Sequence, residues 1–451
     1  MNMRKQTWKA AVSAAAIAAS AAIPMAANAA VGTVTVNGVT WTVNTNATTR
    51  TATLGNGSSA CIATTTSIDA SLIPWTFTVG EGDDAIEYTV TSIAANAFNG
   101  CSKLSGTLTI PDAVTGLLGN NAFTSCTGLK KLASLGGITQ IGDRTFDKCT
   151  GLDGSECPDM TKLISINVYN RLYFSGELRL PALSTGRGIG DSAFRYATIT
   201  NAVLSRKVVD ISGNSIFANC TQLKAMFIPG PDSGTGRTLV RRSSFVSNCT
   251  SLKVFLAGPL TGLSSAYGKT DQNMFTNVSG CRIFVPTGSN WDTESDTEKG
   301  LAAYEANNAV FYYGAGRELD LAINHNDHLI TATPATAHAF TNVLASASTF
   351  KDLFGMDTRI NVTNALEIAA GSVTAAELAG VTFDSLTFAV KTQAQLDTVL
   401  AAVPAETPLA IDPEGATENL MVTTGNRKIY VMLPKNGTYK VRQGGLMIIV
   451  K

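Results

Sequence analysis

A motif built around phenylalanine repeats through the middle of this 451-residue chain. Phe98 is followed by Cys101 and Leu104, and the same Phe-x-x-Cys-x-x-Leu order starts again at Phe123 and Phe146. Successive phenylalanines of this kind lie 25, 23, 48, 23, 28 and 30 residues apart. Such a period is typical of solenoids, in which each repeat buries its apolar face against the next. The repeat predicts a structural core made of Phe98, Cys101, Leu104, Phe123, Cys126, Leu129, Phe146, Cys149, Leu152, Phe194, Phe217, Cys220, Leu223, Phe245, Cys249, Leu252 and Phe275.

Unequal spacings between the phenylalanines predict a degenerate repeat and two insertions. The step of 48 residues is close to two ordinary steps, so a degenerate repeat is expected within residues 150–180. The last two steps are long because residues 230–236 and 258–269 are inserted, and we expect these insertions to form loops where a ligand-contacting surface differs from the rest. The degenerate repeat is expected around Cys157, Leu163 and Ile166.

Each repeat also carries signals for its local structure. An aliphatic residue and a glycine lie five and four positions before the phenylalanine, as in Leu118-Gly119 and Ile189-Gly190. Upstream, short alternating pieces such as Leu108-Thr-Ile110 end in proline, which cannot continue a strand ladder. The glycine permits a turn with positive φ, and apolar residues three apart indicate one short helical turn. A repeat is therefore predicted to contain a strand, a glycine turn and a helical turn.

The combined motif I-G-x-x-A-F-x-x-C-x-x-L, with Ile-Pro at strand ends, resembles the BspA-like leucine-rich repeats of secreted and cell-surface proteins. The resemblance covers roughly residues 90–313 and recurs at least six times. It implies an α/β solenoid of parallel strands that carries no catalytic residues. It also implies a role in adhesion or ligand binding.

The first residues predict export. Arg4, Lys5 and Lys9 precede an alanine-rich apolar run, and Ala27-Asn28-Ala29 matches a cleavage site, so residues 1–29 are predicted to be a signal peptide. No later window holds the roughly 18 apolar residues that a membrane-spanning helix needs. The mature chain is therefore expected to be secreted or held at the cell surface without a transmembrane segment.

The ends of a solenoid need caps because a terminal coil is an unpaired edge. Residues 30–90 are predicted to form an N-terminal β-cap that starts with a hairpin across Asn37-Gly38. Residues 91–313 are predicted to form the solenoid. A capping box at residues 295–298 predicts a C-terminal capping helix over residues 296–308.

Residues 314–451 are predicted to form a small α+β domain without a repeat. The pattern favours a hairpin over residues 317–333 and an amphipathic helix over residues 336–354. A β-α-β unit is expected over residues 386–412, and a small antiparallel sheet after residue 428.

Eight cysteines in an exported protein would favour disulfides. Six of them occupy one repeat slot, however, where stacked side chains point in parallel and match poorly the torsion of about 90° that a disulfide requires. The slot cysteines are therefore predicted to be buried free thiols that act as small apolar groups. Cys61 and Cys157 lie outside the slot and are the better disulfide candidates.

Charge and motif content disfavour several kinds of chemistry. The 34 basic residues balance the 34 acidic ones, so no basic field for nucleic acid exists. His325, Asp327 and His328 are candidates for metal binding, but turn polarity explains them equally well. Asn219 and Asn248 fall in N-x-T sequons and are interpreted as the residues before a slot cysteine. No nucleophile elbow, zinc-protease motif or paired C-x-x-C occurs, so no catalytic residue and no cofactor is predicted.

These features predict a secreted or cell-surface leucine-rich repeat protein that is not an enzyme and presents its solenoid surface to a protein or glycan partner. A structural component of a surface layer or appendage is the alternative from a different class. A binding role predicts aromatic and polar side chains clustered on one exposed face, whereas a layer protein should self-assemble through its ends. An enzyme within residues 317–451 would need His325, Asp327 and His328 to line a concave pocket.

Overall fold

The computed structural model divides the chain into two compact units, Met1–Gly151 and Leu152–Lys451. The sequence placed domain borders near residues 90 and 313, and the repeat pattern does not indicate a division after Gly151. The structure describes residues 30–160, 162–167, 170–180, 188–204, 210–211, 213–230, 238–240, 243–259, 261–263, 273–287, 291, 294–295, 298–299, 301, 304–324, 329–355, 358–362, 367–369, 381–383, 386–403, 409–412, 417–418, 420–423, 429–431, 439–443 and 446–450.

A five-stranded sheet opens the first unit. Its predicted hairpin is confirmed: β1 and β2 pair antiparallel across Asn37 and Gly38, which both have positive φ (50° and 73°). β3 pairs parallel with β6, and β5 lies at the edge in the order β1-β2-β3-β6-β5. The strands are β1 (Ala30–Val36), β2 (Val39–Asn46), β3 (Thr51–Leu54), β5 (Thr76–Val79) and β6 (Ile86–Ile93).

Parallel strands stack the repeats of the first unit. β4, β7 and β9 form one ladder, and β8 pairs with β10 in a second one. Inward residues such as Leu104 and Leu108 are fully buried, and the residues between them are polar. The strands are β4 (Ile68–Asp69), β7 (Leu104–Thr109), β8 (Thr115–Leu118), β9 (Leu129–Ser134) and β10 (Gly137–Ile141).

The Ala-Phe-x-x-Cys segments are tight turns, so the predicted helical turn is wrong. Asn96 (φ 59°) and Gly100 (φ 77°) are left-handed on either side of Phe98. This alternation aims peptide N–H groups at the next coil: Phe98 N donates to Ala122 O at 2.6 Å and Gly100 N donates to Thr124 O at 2.8 Å. The turns therefore extend the ladder between coils, whereas an α-helical turn would keep its hydrogen bonds within itself.

The glycine four positions before each phenylalanine has a different role from the predicted one. Gly119 and Gly213 do not have positive φ. A Cβ at Gly119 would lie 2.4 Å from the backbone of Ala94 and Ala95, and one at Gly213 would lie 2.5 Å from the backbone of Gly190. The glycine is required because two coils approach closely at this point.

A seven-stranded parallel sheet organises the second unit. Its order is β11-β13-β14-β16-β18-β20-β23, and a second parallel ladder joins β15, β17 and β19. The strands are β11 (Ser155–Glu156), β12 (Ser165–Ile166), β13 (Phe174–Arg179), β14 (Thr198–Val203), β15 (Asp210–Ile211), β16 (Ala225–Ile228), β17 (Thr238–Val240), β18 (Val254–Ala257), β19 (Thr261–Leu263), β20 (Arg282–Pro286) and β23 (Ala309–Tyr313).

The degenerate repeat exists, and Leu172 takes the place of its phenylalanine. Leu172 N donates to Ala193 O at 2.7 Å, the bond that a slot phenylalanine makes in the other repeats. Leu163 and Ile166 are buried as expected, but Cys157 is only half-buried. A leucine in the aromatic slot explains why one step is doubled.

The predicted capping helix is wrong where the structure describes it. β21 (Glu294–Ser295) and β22 (Glu298–Lys299) instead pair antiparallel. Ser295 and Glu298 of the predicted capping box therefore pair with each other in a short ladder. The capping roles of residues 30–90 and of this segment stay predictions. Of the predicted insertions, residues 231–236, 260 and 264–269 lie outside the described part, whereas Thr261–Leu263 forms β19 and pairs with β17, so the predicted loop is wrong there.

Within the described residues, three further sheets and two α-helices follow. The orders are β24-β25-β26-β28, β27-β29-β30-β32 and β31-β33-β34. The elements are β24 (Leu319–Asn324), β25 (Leu329–Pro334), α1 (Ala337–Phe354), β26 (Arg359–Val362), β27 (Glu367–Ala369), β28 (Val381–Phe383), β29 (Leu386–Ala389), α2 (Gln393–Ala402), β30 (Leu409–Asp412), β31 (Met421–Thr423), β32 (Ile429–Val431), β33 (Tyr439–Gln443) and β34 (Leu446–Val450).

The hairpin, the long helix and the β-α-β unit predicted in this region are confirmed. The expectation that it lacks a repeat is wrong, since Ile360 pairs with Val381 and Leu409 pairs with both Leu386 and Ile429, at spacings of 20 to 23 residues. Of the antiparallel sheet predicted after residue 428, β32 instead joins this parallel stack, while β33 and β34 do pair antiparallel. Neither described helix is long and apolar enough to span a bilayer.

Candidate interaction surface

The predicted core residues all lie inside the repeats. Each of them, from Phe98 to Phe275, is at most 1% exposed. In the first unit Phe123 stacks between Phe98 and Phe146, with ring centroids 4.8 and 5.4 Å apart. In the second unit Phe194 stacks on Phe217 at 5.3 Å. These side chains join successive coils and are not available to a ligand.

The slot cysteines also join coils. Cys126 Sγ donates to Phe98 O at 3.1 Å, and Cys149 Sγ donates to Phe123 O at 2.9 Å. Desolvation raises the pKa of Cys149 to about 12 and that of Cys101 to about 11, so these thiols are neutral near pH 7. A neutral buried thiol is a poor nucleophile. The same bond to the preceding repeat is made by Cys220 and Cys249.

Neither disulfide candidate is bonded. Cys61 is a buried free thiol, and its burial, together with the neighbouring Cys101, raises its pKa. Cys157 is a half-buried free thiol whose pKa is raised to about 12 by desolvation and by Glu177. The inference that cysteines outside the slot form the better pair is therefore wrong in this structure.

Helix α1 closes much of the outward face of the seven-stranded sheet. Phe227 packs against Phe354 of α1 at 4.4 Å between ring centroids, and Phe284 packs against Phe350 at 5.6 Å. Both faces of β16 and β18 are buried for this reason. The apolar cluster comprises Ala225, Phe227, Val254, Leu256, Phe284 and Phe311 from the sheet and Phe340, Val343, Leu344, Ala347, Phe350 and Leu353 from the helix.

Two outward arginines hold α1 on the sheet. Arg282 Nε donates to Asn342 Oδ1 at 3.2 Å near the middle of the helix. Arg179 Nη1 donates to Leu353 O at 3.1 Å, at the C-terminal end where the helix dipole favours a cation. The helix is therefore fastened across the strands by polar contacts as well as by packing.

Beyond the end of α1 the outward face is polar and open. We call Glu177, Arg179 and Asn201 of β13 and β14 the polar strand face. Glu177 and Arg179 form an ion pair, and each side chain is nearly half exposed. Glu177 lies directly across from Asn201 in the ladder. A cleft of about 390 Å³ adjoins this face, lined by Cys157, Pro158, Asp159, Met160, Glu177, Arg179 and Leu180.

A second row of surface residues follows the turns. The second left-handed residue of each turn in the second unit is Tyr196, Asn219, Asn248 or Asn277, and we call these residues the turn row. Asn248 Nδ2 donates to Asn219 Oδ1 at 3.0 Å, and Asn277 Nδ2 donates to Asn248 Oδ1 at 2.6 Å. The Tyr196 ring is exposed, and the guanidinium carbon of Arg195 lies 5.0 Å from its centre.

The predicted metal candidates His325, Asp327 and His328 lie outside the described residues. Within the described part, no group of three or more potential ligands surrounds a metal site. His338 is placed at the N-terminal end of α1, where its Nδ1 lies 2.9 Å from Glu318 Oε1.

Sequence reasoning missed both surface features. The apolar face under α1 had a signal, since Ala225–Ile228 and Val254–Ala257 are apolar at every position, as in parallel strands buried on both sides. The turn row had a weaker signal, a residue two positions after the phenylalanine, or three in the case of Asn248, and the sequence marks Asn219 and Asn248 only as neighbours of a cysteine. The polar strand face had none, because pairing alone brings Glu177 opposite Asn201.

The chain matches a protein-family model described as BspA type Leucine rich repeat region. Six copies are found, over residues 85–185 and 177–264. No curated protein and no solved structure matches the chain.

Proposed function

Because this chain contains a BspA-type leucine-rich repeat region, we propose that it is a secreted or cell-surface binding protein that presents its repeats to a protein or glycan partner. The family supports a repeat-based binding or adhesion surface in general terms. The placement outside the cell also rests on the signal peptide predicted from residues 1–29. In this proposal the protein is not an enzyme.

The single observation that carries the proposal is the division of the sheet face in the second unit. α1 closes the apolar part, around Phe227 and Phe284, and leaves the polar strand face and its cleft open. An open face with a carboxylate, a guanidinium and an amide offers both donors and acceptors to a partner. Ligand-binding sites combine a few such polar groups with a concave surface.

The interior of the repeats supports a binding role rather than a catalytic one. The thiols of the slot carry raised pKa values and donate to backbone carbonyls. They therefore supply cohesion between coils and no reactive nucleophile.

The proposal is tested by binding of the whole protein to two panels, one of extracellular proteins and one of oligosaccharides, measured by biolayer interferometry. We expect saturable binding to a member of one panel. A reversed charge at position 177 and an added charge at position 201, Glu177→Lys with Asn201→Lys, should together weaken binding by about tenfold or more if the polar strand face takes part.

Thr115→Lys is the matched control, because Thr115 is exposed on β8 of the first unit, outside the polar strand face. Equal melting temperatures of all variants would show that the fold is kept. Absence of saturable binding to both panels would contradict the proposed function.

A further inference from the structure

Tyr196 stands out in the turn row because its backbone conformation does not suit its side chain. Its φ is 69°, a left-handed value that is unusual for a bulky residue. The next three repeats place Asn219, Asn248 and Asn277 at the same position, and asparagine tolerates this conformation well. The ring of Tyr196 is 46% exposed. Ser125 and Lys148 adopt the same conformation at the equivalent position in the first unit, so what distinguishes Tyr196 is its exposed aromatic side chain.

Arg195 packs beside the Tyr196 ring. Its guanidinium carbon lies 5.0 Å from the ring centre, which fits a cation–π contact. Among the described residues, no further ring contact of Tyr196 occurs. Arg195 Nε is buried and makes no hydrogen bond within the described part of the chain, so this nitrogen is not accessible to a ligand, and the contribution of Arg195 is its contact with the ring.

The side-chain amides of the three asparagines form a hydrogen-bonded row that begins next to this ring. Each ladder bond joins the Nδ2 of one asparagine to the Oδ1 of the preceding one. Each amide has two N–H groups and two lone pairs, so every asparagine keeps donor or acceptor capacity for solvent or ligand. The Nδ2 group of Asn219, at the Tyr196 end of the row, has no hydrogen-bond partner within the described residues.

The spacing of the row is regular. The phenylalanines of the same three repeats, Phe194, Phe217 and Phe245, are separated by 5.3 and 5.6 Å between ring centroids, the first pair stacked and the second edge-to-face. This is close to the length of one sugar unit in an extended glycan. A row of one aromatic ring followed by amides at that spacing matches the apolar ring faces and the hydroxyl groups of such a polymer.

We infer that the turn row binds an extended glycan, with one sugar ring on Tyr196 and its neighbours hydrogen-bonded to Asn219 and Asn248. This inference goes beyond the proposed function, because it assigns a ligand class to the turn row, a surface separate from the polar strand face. A typical protein–protein interface has an apolar core in which several large side chains are buried. The turn row offers only one aromatic residue, so it suits a glycan better than a protein.

The test is a glycan array carrying neutral and uronic-acid oligosaccharides, followed by affinity electrophoresis of the whole protein in gels containing the best-bound polysaccharide. Tyr196→Asn places the residue of the next three repeats at this turn and should keep the fold. We expect it to weaken glycan binding on the order of tenfold or more. Tyr196→Phe keeps the ring and should bind nearly as the original protein does.

Lys148→Asn is the matched control, because Lys148 occupies the equivalent left-handed position in a repeat of the first unit (φ 61°). It should leave binding unchanged. Unaltered glycan binding by Tyr196→Asn, with an unchanged melting temperature, would overturn the turn row as the site and leave the binding function standing. Binding to a protein alone, with no glycan bound on the array, would overturn the inference while still supporting the proposed function.

Discussion

At the scale of single residues, the repeat is held by groups that reach from one coil to the next. Phe98 contributes its ring to the stack and its carbonyl to the Cys126 thiol, while its N–H bonds to Ala122. A slot residue therefore serves two coils at once. This explains why the motif conserves side-chain type along the stack while the turn residues outside it vary from glycine to tyrosine.

Glycine at the close approach of two coils gives the clearest residue-scale prediction. Gly119→Ala should lower the free energy of unfolding by roughly 3 kcal/mol, because the new Cβ would meet the backbone of Ala94 and Ala95 at 2.4 Å. Urea unfolding followed by circular dichroism measures the change.

Gly100→Asn is the control for that variant. Gly100 has positive φ, but its Cβ would meet only the Thr64 methyl group at 3.7 Å, so asparagine should be tolerated. Equal losses in the two variants would show that close approach is not the reason for Gly119.

At the scale of elements, α1 decides how much of the sheet a partner can reach. Thr336 caps its N-terminus by accepting a hydrogen bond from Ala339 N at 3.1 Å. Glu318, just before β24, joins this end, since its Oε1 accepts from Thr336 Oγ1 at 2.6 Å. The helix thus carries polar anchors at both ends and an apolar face between them.

The anchor at the N-terminal end predicts a pH dependence. Partial burial alone would raise the pKa of Glu318, but its hydrogen bonds with Thr336 and His338 outweigh this and hold the pKa below its usual value of 4.5. A lowered pKa adds stability above the usual value, and this is lost as pH falls through the lowered one. Because Glu318 is partly exposed, solvent screening keeps the effect small.

Glu318→Gln should therefore lower the urea midpoint at pH 7 and reduce its fall between pH 5 and pH 3. Thr336→Ser keeps the hydroxyl group and should behave as the original protein does. An acid profile of Glu318→Gln that coincides with the original one would show that this carboxylate does not stabilise the helix end.

At the scale of the whole molecule, the region after the repeats completes the second unit. The outward side chains of Phe227, Leu256, Phe284 and Phe311 are buried in one cluster with α1. A leucine-rich repeat sheet of this kind cannot remain apolar on its outward side without a cover, because the exposed patch would associate with other molecules.

Removal of residues 315–451 should therefore expose this cluster. We expect the shortened protein to bind the dye ANS strongly and to elute as oligomers in size-exclusion chromatography. The same shortened protein with Leu256→Thr and Phe284→Thr should show less dye binding and less association. A shortened protein that stays monomeric without dye binding would contradict the covering role of α1.

The sequence by itself determined the repeat. A side chain that packs against the equivalent side chain of the next coil must recur at a regular spacing, and this spacing is visible in the sequence. Phe98, Cys126 and the doubled step between Phe146 and Phe194 all follow from that periodicity, and the hairpin at Asn37-Gly38 follows from a local turn signal. The family model matches over these repeats, at residues 85–185 and 177–264. Local signals also located α1, since its apolar face and its cap lie within one segment.

Only the tertiary structure decided what the surface offers. Whether the outward side of a strand is open at Glu177 or closed at Phe227 depends on where α1 lies, and α1 is more than a hundred residues away in the chain. The predicted glycine turn and helical turn were also wrong, because the hydrogen bonds and close contacts that determine these conformations run between coils. Interactions across such separations leave no local pattern, so pairing and packing alone bring their residues together.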